Sequence, residues 1–141
     1  MKKIAFCSVL FLMFFTIASC GGSNQEIEKE DALRNEVFAI HDAVMPRMSE
    51  IVKLKGKLRE LPMDTTNEAV MRAAISQLEK AEEGMMDWMN KFKQPETLRE
   101  TKSHEEIMQY LDGEKTTISQ VRDDMNNSIQ VAERLLGSSG L

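Results

Sequence analysis

The chain has 141 residues, 18 basic and 23 acidic, for a formal net charge of −5 and a mean hydropathy of −0.35. This acidity makes nucleic acid and anionic lipid head groups poor partners. Its length suits one domain with a single modest core.

Lys2-Lys3, the apolar stretch 4–17 and small residues before Cys20 have the layout of a secretory signal. That stretch is fourteen residues, short of the ~20 a spanning helix needs, so a cleaved leader over 1–19 is expected rather than a retained anchor. The ending Ile17-Ala18-Ser19-Cys20 resembles the lipobox of bacterial lipoproteins. The resemblance implies a diacylglyceryl group on the Cys20 sulfur and cleavage that makes Cys20 the N-terminus. It also implies a lipid-anchored protein of the cell envelope; two acyl chains give stable anchoring where one is marginal. Glycine rather than aspartate at position 21 implies outer-membrane sorting. Some Bacteroidota lipoproteins reach the cell surface through an acidic signal just after the cysteine; here acids begin only at Glu26, so that resemblance implies the periplasmic face rather than the surface.

Loss of residues 1–19 leaves 122 residues, and removal of Lys2 and Lys3 takes 18 basic residues to 16 against 23 acids, net −7. Cys7 leaves with the leader and Cys20 is consumed by lipid, so no disulfide is expected and stability falls to packing.

Residues 20–29 are expected to be the lipidated cysteine and a flexible tether, with Gly21-Gly22-Ser23-Asn24-Gln25 at its start. From there Leu33, Val37, Ile40, Val44, Met48, Ile51, Leu54, Leu58 and Leu61 step by three or four, which predicts a helix over 30–61. Pro46 inside it predicts either a kink or a helix restart. Pro62 stops the segment, and Thr65 with Glu68 has the spacing of a capping box. A second helix over 66–92 carries Met71, Ala74, Leu78, Ala81, Met85, Trp88 and Phe92 on one face. Residues 93–102 read as a connection. Ser103 and Glu106 form another capping-box pattern. Ile107, Leu111, Ile118, Val121, Met125, Ala132 and Leu135 line a third helix over 104–136, with Gly137 as its C′ residue and a disordered tail over 137–141. Three amphipathic segments without strand-like alternation predict an all-α, antiparallel three-helix bundle over 30–136.

Methionine is over-used: of eleven, nine follow the leader. With helices 1 and 2 antiparallel about the turn at 62–65, His41 falls level with Trp88 and Met89, and Met45 with Met85. A return near residue 98 brings Met108 to that level. Imidazole with thioethers is a donor set for Cu(I), which makes His41, Met45, Met85 and Met89 a candidate metal site. Met48, Met86, Trp88 and Met108 are candidate partner or metal contacts, an indole face adding a cation–π contact. Some periplasmic copper chaperones are similar in ligand set alone, on a β-barrel fold. The plainer alternative is that these methionines fill the core or form a contact surface. Haem fits less well: no CxxCH motif exists, and three helices leave little room for a porphyrin.

Support for catalysis is thin. His104 follows the Ser103 cap and is expected to be solvated. Glu82 and Glu114 fall at similar bundle height, as an acid–base pair or, more simply, as partners of Lys115, Arg122 or Arg47. Phosphate loops, nucleophile elbows and HExxH patterns are absent. The chain reads as a non-enzyme.

The segments His41-Asp42-Ala43-Val44-Met45-Pro46-Arg47-Met48, Met85-Met86-Asp87-Trp88-Met89 and Val121-Arg122-Asp123-Asp124-Met125-Asn126-Asn127-Ser128-Ile129, with the lipobox, resemble a group of small Bacteroidota lipoproteins that often carry the label viral A-type inclusion protein. The resemblance spans most of the chain after Cys20. It implies an envelope anchor and a helical fold, and brings no activity with it. Two functions follow: an interaction module that meets another envelope protein or a second copy of itself, or a protein that holds Cu(I) at the His/Met cluster.

Overall fold

The structure, a computed structural model, describes residues 21–62 and 65–138. The expected leader, the expected lipid acceptor Cys20 and residues 139–141 of the expected tail lie outside the described residues. Regular structure among the described residues is wholly helical: α1 (Gly21–Val44), a 3₁₀ turn (Met45–Arg47), α2 (Met48–Glu60), α3 (Glu68–Lys91), the one-turn α4 (Pro95–Leu98) and α5 (His104–Ser138). The fold is the expected all-α bundle, with α1–α2, α3 and α5 as its three rods.

Cross-helix pairs give the directions. Lys55 pairs with Glu82 and Arg59 with Glu79, so rising numbers on α2 meet falling numbers on α3. Phe92 touches Tyr110, and a Cβ at Gly84 would lie 3.9 Å from Val121, which makes α5 antiparallel to α3. Glu30 meets His104, Glu36 meets Lys115, and Arg47 meets Asn126, so α5 returns parallel to the first rod.

The apolar stripes explain why these rods associate. On α3 Met71, Ala74, Leu78, Ala81, Met85 and Trp88 are all buried. They join Val37, Val44, Ile51, Leu54 and Leu58 from the first rod and Ile118, Met125, Ile129, Ala132 and Leu136 from α5 in the main core. Full burial of a Leu or Ile side chain contributes about 1.5–3 kcal/mol. Leu98, Ile107 and Leu111 form a smaller cluster with Leu33, Phe92 and Tyr110 against it. The stretch 93–102 is therefore more than a connection: Pro95 opens α4, and both Pro95 and Leu98 are buried.

Pro46 has no amide to give, so the helical hydrogen bonding breaks locally and resumes. The interruption is a 3₁₀ turn after Val44 with Pro46 in its first positions, closed by the Met48 amide donating to the Met45 carbonyl. Ser49 Oγ donates to the Pro46 carbonyl at 3.0 Å.

Helix ends depart from expectation in three places. α1 begins at Gly21, and residues 23–29 form an exposed helical extension where a flexible tether is expected. The Thr65–Glu68 capping box does not form. Glu68 is the first residue of α3 rather than its third, and its carboxylate pairs with Arg72 at 2.8 Å. Gly137 lies inside the last turn of α5, where Ser138 Oγ donates to the Leu135 carbonyl at 2.8 Å and satisfies a terminal acceptor. The second capping box does form. The Ser103 amide donates to Glu106 Oε2 at 2.9 Å, and the Glu106 amide donates to Ser103 Oγ at 3.3 Å.

Candidate functional site

One face of α1 meets the C-terminal end of α3 through a run of rings. The His41 ring lies 5.4 Å from Trp88, tilted by 31°, and 6.0 Å from Phe38. Phe38 packs edge-on against Trp88 at 6.1 Å and Phe92 at 5.2 Å. His41 is thus level with Trp88, as the antiparallel register predicts. Its Nδ1 is 2.8 Å from Asp42 Oδ1. A carboxylate only accepts, so this bond puts a proton on Nδ1 and, in the neutral ring, leaves the lone pair on Nε2. Nε2 is buried without a hydrogen-bond partner, as is Trp88 Nε1.

The methionines divide by depth. Met85 is wholly buried in the main core, whose packing holds it. Met45, Met48 and Met89 are half-buried and pack against the edge of that core. Met48 lies seven residues beyond His41, about 10 Å further along the first rod at 1.5 Å per residue. Met86 is 45 % exposed.

One expected partner contact needs correction. Trp88 is 5 % exposed and packs among rings, so it presents no anchor to a partner. Met108 is half-buried on α5 but belongs to neither apolar cluster, since Ile107 and Leu111 take the inward positions of that turn.

A second polar centre joins three elements. Glu30, 2 % exposed, accepts from Arg99 Nε at 2.6 Å and faces His104 Nδ1 at 2.8 Å. Arg99 also donates to Asp31 at 3.0 Å. Burial opposes the Arg99 charge, but the hydrogen bonds and charges of Glu30 and Asp31 prevail and raise its pKa. His104 is therefore held by a buried carboxylate rather than solvated. Sequence reasoning passed over this group. Its signal is an acid at position 30, two turns before Val37 on the same apolar stripe, which demands a charged partner from elsewhere in the fold.

The carboxylates weighed for acid–base work separate. Glu82 pairs with Lys55, whereas Glu114 lies near Tyr110. Lys115 pairs with Glu36 and Arg122 with Asp123. Burial raises the Tyr110 pKa, and its Oη accepts from the Lys93 amide at 2.7 Å, which pins the exit of α3. Among the described residues no three His, Cys, Asp or Glu side chains gather as a metal site, and no helix is long and apolar enough to cross a membrane. Comparisons with protein-family models, curated proteins and solved structures found no match to this chain.

Proposed function

We propose that the chain is a lipid-anchored, non-enzymatic helical interaction module of the cell envelope, of the kind the Bacteroidota resemblance implies. The carrying observation is the outward face of α3. There Met86, 45 % exposed, stands in a shallow depression lined by Glu79, Glu82, Glu83 and Asp87. An exposed thioether adapts to an apolar socket, and the acids around it favour a partner of positive potential. Among the described residues Glu83 has no ion pair, whereas Glu79, Glu82 and Asp87 are paired with Arg59, Lys55 and Lys91. The anchor reading draws support from the lipobox and from α1. Residues 23–29 add about 10 Å of exposed helix at 1.5 Å per residue, a stiffer spacer than a Gly/Ser coil.

The test places a photo-cross-linking residue at position 86 of the full chain in its native envelope. A discrete adduct is expected, lost when Glu83 and Asp87 are changed to Lys. An adduct of twice the chain mass identifies a second copy as the partner. No adduct, or one indifferent to the charge reversal, would contradict the proposal.

A further inference from the structure

We infer that His41 Nε2 and the thioethers of Met45 and Met89 form a Cu(I)-binding site where α1 meets α3. It is independent of the Met86 surface and narrows the expected ligand set by leaving Met85 to the core. The leading observation is the orphan nitrogen. A ring nitrogen sealed from water without a partner is unfavourable and calls for an occupant. Asp42 holds Nδ1 at 2.8 Å, leaving the Nε2 lone pair available. A metal-ligating histidine commonly has its other nitrogen held in this way by a carboxylate.

The fold assembles soft donors around that point. Met45 follows His41 by four residues, at the start of the 3₁₀ turn that continues α1. Met89 is next to Trp88, whose ring lies 5.4 Å from the imidazole. Both methionines are half-buried at the edge of the core, where an unbranched side chain can move its sulfur without moving backbone. Met85 is wholly enclosed and stays with the core. Neutral imidazole and thioether donors suit a soft monovalent cation and discriminate against Mg or Ca. The Trp88 indole face adds a cation–π attraction.

Titration of the full chain, in detergent, with Cu(I) alone under reducing conditions and against a competing bicinchoninate chelator tests the site. Circular dichroism follows folding. One equivalent of Cu(I) is expected to bind and to quench the emission of Trp88, the sole tryptophan. Loss of a ligand in His41→Leu or Met89→Leu, and loss of the orienting carboxylate in Asp42→Asn, should each weaken binding by about 10–100-fold. Met85→Leu and Met125→Leu should bind like the parent. Asp42 is 72 % exposed, so its variant remains informative if His41→Leu fails to fold. A parent that surrenders all its Cu(I) to the chelator overturns the site. So does unchanged binding in folded Met89→Leu and Asp42→Asn.

Discussion

Glu30 takes a charge into the packed end of the bundle, and its partners make that tolerable. Arg99 offers a charge-assisted bond at 2.6 Å, while His104 occupies the other oxygen at 2.8 Å. Removing one member of such a pair leaves the other desolvated and uncompensated, and that loss exceeds what the intact pair contributes. Arg99→Met should therefore destabilise the fold by about 3 kcal/mol, the low end for buried pairs because Arg99 is itself 25 % exposed. Lys91→Met, which breaks the exposed pair with Asp87, should stay within about 0.5 kcal/mol. Urea unfolding of both variants checks the contrast. The residue scale is also where the sequence was least legible. Nothing local joins Glu30 to residues 69 and 74 positions away; their meeting depends on the parallel return of α5 beside α1. His41 beside Trp88 was legible because one short hairpin fixes that register.

Among the elements, apolar spacing located all three rods, since a stripe with helical period has one way to leave water. Ends were harder, being decided by single bonds. Ser103 and Glu106 exchange both capping bonds, whereas Thr65 and Glu68 share the spacing without the geometry, because α3 starts at Glu68. The one-turn α4 escaped notice because four residues display no period. The formed cap carries a pH signature. The Ser103 amide above all, then the Lys102 charge, lowers the Glu106 pKa below its ordinary 4.5. A carboxylate with a depressed folded pKa stabilises above its unfolded pKa, and that contribution disappears as pH falls through the folded value. Carboxyl NMR should find Glu106 titrating below the ordinary glutamate value. Over the same interval the Ser103 amide should lose hydrogen-exchange protection, and Glu106→Gln should remove that dependence.

As a whole the molecule is a first rod interrupted by a 3₁₀ turn, a hairpin partner and a long return helix, closed by an unbroken main core. No cysteine lies between residue 20 and the C-terminus, so burial and ion pairs carry the stability of this part of the chain. The proposed envelope role rests on where such a body is held and what its outer faces meet. The central claim is the anchor, and the most direct measurement is metabolic labelling with a radiolabelled fatty acid, followed by membrane fractionation, for the parent and Cys20→Ser. The parent should carry label and sediment with membranes, and the variant should lose the label and leave the membrane fraction. Equal labelling and partitioning of the two proteins would contradict a lipid-anchored interaction module.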